Sequence, residues 1–270
     1  MLNLKNLLME LGLRRPGLAY IHIPKTGGTY LAQLESDKNP VISPIRHLGH
    51  VCIVEDKTAP SVYPPEGFTN PHIMEKKELR DYFIVSTVRN PFAFLVSYAG
   101  HAGGWNPNYR DTCHYDYSNA NKSFDYFLKT IADREYPWPS RKFIHFQLFC
   151  DNGDFLVDWL NRTETLDNDL RDLARYLNIN YRERPKQRIG SKKDYRVYYN
   201  DELIDLVCQT WRNELELFGY DFDGIKRRSL SFKRRISRRE KESVKYFWKD
   251  DCLAIHEDFR NRYSADKLKV

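Results

Sequence analysis

The sequence predicts an α/β fold, a parallel sheet with helices on both faces. Short β-rich runs alternate along the chain with amphipathic helical stretches, the pattern of strands joined by crossover helices. The first clear run, Ala19 to Ile23 in "AYIHIPKTGGTYLAQLE", enters a Pro-Lys-Thr-Gly-Gly-Thr turn and leaves it with a helix-like pattern. A second run, Tyr82 to Val88, halts at Asn90-Pro91 and is again followed by a helical pattern.

Taken in order, residues 17–35 read as strand, turn and helix. Residues 40–75 are rich in Pro, His and Gly and read as loops with short elements. After the 82–88 strand, "FAFLVSYAGH" is helical, and "GHAGGWNPN" is a loop. "SFDYFLKTIADRE" is a helix with Ser123 as N-cap. "DFLVDWLNRTETL" begins as a strand. Leu166, Leu170, Leu173 and Leu177 then mark one helix face, which starts at Thr165 with Asn168 and Asp169 in the first turn. "SKKDYRVYYNDELIDLVCQTWRNELELFGYDF" reads as a loop, one long amphipathic helix and a stop at Gly219.

The 270 residues are enough to bury a sizeable core, and 41% hydrophobic with 14% aromatic residues is a folded composition. One α/β domain over 1–225 and a basic, mainly helical extension over 226–270 fit the pattern. The extension carries fifteen Lys/Arg against seven Asp/Glu, so the rest of the chain is nearly neutral. "KRRSLSFKRRISRRE" could contact a polyanion or a membrane surface, or be a solvated helix or tail; nothing in it specifies a nucleic acid. The five cysteines form neither a zinc pattern nor a disulfide framework and read as reduced thiols. No stretch reaches the roughly 20 apolar residues of a membrane helix, and the N-terminus lacks a signal-peptide cleavage site. Absent a trimmed targeting segment, the expectation is a cytoplasmic protein, with the sequons at Asn121 and Asn161 as chance matches.

The first turn has the makings of an anion site. A helix N-terminus presents unpaired N–H groups and the positive end of its dipole. Gly27 and Gly28 would let the backbone approach closely, Thr26 and Thr29 would add hydroxyls, and Lys25 would bring a charge to the mouth. An ordinary glycine-rich turn needs neither the lysine nor the threonines. The order is not that of the Walker loop, Gly-x-x-x-x-Gly-Lys-Ser/Thr, because the lysine precedes the glycines. At the second strand end stands Arg89. Ser97 follows eight residues later, two turns into the next helix, where a guanidinium and a hydroxyl can meet on one phosphate. Alone, Arg89 reads as a structural ion pair. Two strand ends with phosphate donors suit a nucleotide phosphorylated at both 5′ and 3′ positions.

"IPKTGGT" resembles the 5′-phosphosulfate loop of sulfotransferases that use 3′-phosphoadenosine-5′-phosphosulfate, and "VRNPFAFLVSY" resembles their 3′-phosphate motif. The match is to the carbohydrate O-sulfotransferase branch, including the heparan and chondroitin enzymes. "TETLDNDL" and "YYNDELIDLV…ELELFGYDF" are similar to late segments of that branch. The resemblance covers roughly Ala19 to Phe222, weakly between Gly100 and Asp154. The branch often reads Arg-Asp/Asn-Pro-x-x-Arg-x-x-Ser, and this chain has Phe94 at the second arginine.

The resemblance implies a P-loop-nucleotide-kinase-like, three-layer fold with a central parallel sheet. It also implies transfer of a sulfuryl group from 3′-phosphoadenosine-5′-phosphosulfate to an acceptor, here expected to be a saccharide hydroxyl, with no metal required. Lys25 would stabilise the leaving group, the amides of Gly27, Gly28 and Thr29 would hold the 5′-phosphate, and Arg89 and Ser97 the 3′-phosphate. In "GSKKDYRVYY", Ser191 and Lys192 match a late loop that closes over the nucleotide, though a solvated charge run reads equally well.

The acceptor hydroxyl needs a base of near-neutral pKa. His50 in "RHLGHV" stands where a similar "HGHV" segment of heparan 2-O-sulfotransferases carries the catalytic histidine; His47 is its neighbour and His101 the reserve candidate. His22, set between Ile21 and Ile23, reads as structural. Trp105 and Arg110 could meet an anionic sugar, or Trp105 could be a packing anchor. Two other classes stay open. One is a nucleotide-dependent kinase, weakened by the lysine order and by the lack of a clear metal-binding Asp on a strand. The other is a non-catalytic polyanion-binding protein of nucleotide fold.

Overall fold

The computed structural model describes residues 17–27, 45–48, 51–54, 72–101, 123–133, 144–150, 155–179, 181 and 194–226. The helix expected after the first turn, the loop at 102–122 and the basic extension beyond Lys226 lie outside them.

Four parallel strands build the central sheet: β1 (Gly17–Ile21), β2 (Ile45–His47), β5 (Tyr82–Val88) and β6 (Trp159–Arg162). Their order is β2-β1-β5-β6. Two short strands within the stretch read as loops, β3 (Val51–Val54) and β4 (His72–Glu75), pair in parallel as a small second sheet. The Tyr82–Val88 boundaries are those the sequence predicts, because Pro91 has no N–H for the ladder and the polar Asn90 turns the chain.

Alternation along the strands sorts the core into two layers. Leu18, Tyr20, Phe83, Val85 and Trp159 face one way, onto α3 (Leu166–Leu177), whose Leu166, Leu170 and Leu173 are buried there. Ala19, Ile21, Ile84, Val88 and Leu160 face the other. The second layer also holds α1 (Pro91–His101), α2 (Phe124–Asp133), α4 (Asp201–Thr210) and α5 (Arg212–Phe218). Helices thus cover both faces, as the sequence pattern predicts. Among the described residues, no helix is long and apolar enough to cross a membrane, and no cluster of His, Cys, Asp and Glu is placed to hold a metal ion.

Several helix ends follow their sequence signals. The Ser123 hydroxyl accepts from the Tyr126 N–H, and the Asn200 side chain accepts from the Leu203 N–H, each a side-chain N-cap. Gly219 closes α5 at φ 65°, the left-handed stop expected of it. Two details differ. The long helix is two helices meeting at Trp211, where φ −113° and ψ 28° leave helical geometry while the indole sits buried in the core. The Thr165 hydroxyl does not cap α3; it donates to Asp169 Oδ2 at 2.8 Å, and the same oxygen accepts the Arg162 N–H at 2.8 Å. A buried carboxylate with two donors at hand draws the hydroxyl away from the helix end.

Candidate active site

All four strands of the central sheet end on the same rim, since they are parallel. From β1 the chain moves out to β2 on one side, while β5 leads to β6 on the other. The crevice between the carboxyl ends of β1 and β5 is therefore the topological switch point, where open α/β sheets take their ligands. The Lys25 turn follows β1, and Arg89 follows β5.

The turn is held in an unusual shape. Lys25 has φ 64° and Gly27 φ 94°. A left-handed lysine costs about 1–2 kcal/mol, so its neighbours must compensate. Two bonds lie on the turn's backbone carbonyls. Arg89 Nη1 donates to Lys25 O at 2.9 Å. Thr163 Oγ1, just past β6, lies 2.9 Å from Thr26 O and 3.2 Å from Val88 O, and so bridges two strand-end segments. Gly27 is required twice over: a side chain is strained at its φ, and a Cβ would stand 3.1 Å from Leu166 Cδ2.

Thr26 departs from the expectation that its hydroxyl faces an anion. It is fully buried, and its Oγ1 donates to Ile23 O at 2.7 Å. A hydroxyl has one proton to give, and here the turn itself takes it.

Arg89 is half-buried and acts on a backbone carbonyl rather than as the ion pair its position alone suggests. That bond uses one of its five N–H donors. Desolvation pulls its pKa below arginine's usual range, and the negative field of Glu164 opposes the shift. Asn90 beside it is buried. Its N–H donates to Glu164 Oε1 at 2.9 Å, its Nδ2 to Asp221 O at 2.8 Å, and its Oδ1 accepts the Phe92 N–H at 3.0 Å. This fixes the start of α1, which carries Ser97, half-buried, two turns along. Phe94, at the position of the branch's second arginine, is fully buried and stacks on Tyr98. It belongs to the core.

On the other flank, His47 ends β2 and is half-buried; its ring lies 5.1 Å from that of His22 and 5.6 Å from that of Tyr20. Burial pushes the Tyr20 hydroxyl up to about 12. His101 is the last residue of α1. Gly28, Thr29, His50, Trp105, Arg110, Ser191, Lys192 and the His101 side chain lie outside the described residues. The segment after Lys192 is anchored beside the crevice, with Tyr199 OH donating to Phe92 O at 2.9 Å.

A family model described as the sulfotransferase family matches residues 13–221, a span that includes every strand-end loop of the central sheet. The chain belongs to the sulfotransferase family. No curated protein and no solved structure matches it. For a sulfotransferase, the chemistry is sulfuryl transfer to a hydroxyl compound, and the family generally draws on 3′-phosphoadenosine-5′-phosphosulfate. The four-stranded parallel sheet flanked by helices is consistent with a sulfotransferase fold.

Sequence reasoning passed over several residues around this crevice: Thr163, Asn90, Glu164 and the buried pair His145–Glu214. Thr163 carried a signal, since it is the first polar residue after a strand that ends on the ligand rim. The histidine pair carried none, because its two members lie 69 residues apart.

Proposed function

We propose that this sulfotransferase moves a sulfuryl group from 3′-phosphoadenosine-5′-phosphosulfate to a saccharide hydroxyl. The observation that best supports the donor assignment is the Arg89–Lys25 bond at 2.9 Å, which joins the two strand-end segments predicted to carry the phosphate donors. A nucleotide with phosphates at both ends would meet both at once. The turn's geometry fits such a group: a left-handed lysine, a glycine with no room for a side chain, and a guanidinium with donors in reserve.

In this reading, the amides of Gly27, Gly28 and Thr29 hold the 5′-phosphate, and Arg89 and Ser97 hold the 3′-phosphate. Lys25 stabilises charge growing on the bridging oxygen as the sulfur–oxygen bond to the nucleotide breaks. His50 takes the acceptor's proton as the new sulfur–oxygen bond forms. β2 supports that choice, since it runs beside β1 and ends at His47, three residues before His50. Ser191 and Lys192 close over the nucleotide. His47, His101, Trp105 and Arg110 serve the acceptor side, with His101 as the alternative base. The saccharide assignment rests on the resemblance of the motifs to the carbohydrate branch.

The test is a thermal melt of the full chain with 3′,5′-adenosine bisphosphate, with Mg-ATP and 5′-AMP as controls. A ligand at 100 times its Kd adds about 2.7 kcal/mol. A shift specific to the bisphosphate supports the reading and justifies an acceptor screen with labelled donor. A shift with Mg-ATP alone points to a kinase, and no shift with any nucleotide rejects the site.

A further inference from the structure

Behind Arg89 lies a buried polar chain that plays no part in the mechanism above. Glu214 on α5 is 1% exposed and His145 is fully buried. The Glu214 carboxylate accepts the backbone N–H groups of Ile144 at 3.1 Å and His145 at 3.0 Å. Glu214 Oε1 also lies 2.7 Å from His145 Nδ1. A carboxylate already serving two donors places the ring proton on Nδ1, which leaves the lone pair on Nε2. That nitrogen accepts the Arg89 N–H at 3.3 Å.

The Arg89 amide needs such a partner. The ladder pairing of β5 with β6 ends at Val88↔Arg162, and that with β1 ends at Ile21↔Ser86. Arg89 is the first residue past both, so its N–H has no strand to pair with. His145 takes that place, its ring fixed between Phe94 and Phe218. The chain of contacts runs from Glu214 through His145 to the Arg89 backbone, and from the Arg89 side chain to Lys25 O.

We propose that His145, oriented by Glu214, is a positioning residue that sets the aim of the Arg89 guanidinium at the donor's 3′-phosphate. This rests on the donor reading above. A plain core anchor would lower stability when altered and weaken all ligands alike. A positioning residue affects the 3′-phosphate selectively, and the acceptor nitrogen at the Nε2 position is what matters.

Two substitutions separate these. In His145→Gln the side-chain amide reaches the Nε2 position and can still accept the Arg89 N–H. In His145→Asn it stops near Nδ1 and cannot. Affinities for 3′,5′-adenosine bisphosphate and 5′-AMP are measured on the full chain, with a melt of each variant. His145→Asn is expected to raise the bisphosphate Kd about tenfold, the loss of one well-placed hydrogen bond, and to leave 5′-AMP unchanged. His145→Gln is expected to restore binding to within about threefold. Glu214→Leu, which leaves the His145 Nδ1 proton without its acceptor and so releases the tautomer, should behave like the asparagine variant, and it carries the test if His145→Asn does not fold. Equal weakening by Asn and Gln, or parallel loss of both ligands, overturns the proposal. If wild-type protein prefers the bisphosphate no more than 5′-AMP, the donor reading itself has failed and this one falls with it, an outcome visible in the wild-type arm alone.

Discussion

Gly27→Ala tests how much the left-handed shape of the turn after β1 matters to stability and to binding. At φ 94° an L side chain pays at least the left-handed penalty of about 1–2 kcal/mol. The new Cβ would also lie 3.1 Å from Leu166 Cδ2. That contact is with the end of a side chain, so Leu166 can yield by tilting off its rotamer, at about 0.5–1.5 kcal/mol. Alanine restricts the unfolded chain, which returns about 0.4–1 kcal/mol. The net is a loss of about 1–2 kcal/mol. For a folded unit of this size that lowers Tm by about 3–6 °C. The assay is a melt of the full chain, with and without 3′,5′-adenosine bisphosphate. The ligand-induced gain should fall as well, because a turn pushed off its left-handed shape no longer aims its backbone N–H groups together. A Tm within about 1 °C of wild type together with an intact ligand-induced gain would refute both the strain argument and the part of the turn's shape in binding.

Other substitutions probe separate parts of the site. Lys25→Ala should cost at least about 10²-fold in transfer, with Tm near that of wild type; near-normal turnover would remove Lys25 from the mechanism. His50→Ala should lower kcat by about 10²-fold while sparing nucleotide binding, and if His101→Ala does this instead, the base is His101. Among the described residues, the buried Tyr20 hydroxyl has no hydrogen bond of normal geometry, and its folded pKa is raised to about 12 from 10. A raised pKa favours the protonated phenol in the fold, so stability is full below pH 10 and falls between about pH 10 and 12. Tyr20→Phe should therefore match or exceed the wild-type Tm at neutral pH and flatten the alkaline loss in a pH series of melts.

Local signals carried much of the fold. Pro91 and Asn90 set the end of β5, four leucines set the face of α3, and Ser123 and Gly219 set helix ends, because each of these is decided within a few residues. The turn after β1 was legible as a turn, and both of its neighbouring loops as strand ends. Partners far away in sequence were not legible. Nothing near Thr26 announces that its carbonyl meets the Thr163 hydroxyl, and nothing near His145 announces Glu214. The break at Trp211 was hidden because the buried stripe Leu203, Val207, Trp211, Leu215 and Phe218 keeps a helical period across it, and only the backbone angles at Trp211 mark the break. Tertiary packing decides these, and periodicity reports on packing only where one element faces one core.

The bonds on the Lys25 turn also bear on how the molecule comes to be assembled. Arg89 reaches Lys25 across 64 residues, and Thr163 reaches Thr26 across 137. Closing the longer span costs only about 0.6 kcal/mol more than the shorter, so neither is prohibitive at equilibrium. Both raise the contact order, which slows folding towards the millisecond-to-second range. The two bonds that hold Lys25 in its left-handed shape exist only once β5 and β6 stand beside β1, because Arg89 follows one and Thr163 the other. A short peptide carrying the loop has nothing to hold that shape, and a nascent chain that has not yet emerged as far as Thr163 has only part of it. The shape of the turn belongs to the finished sheet.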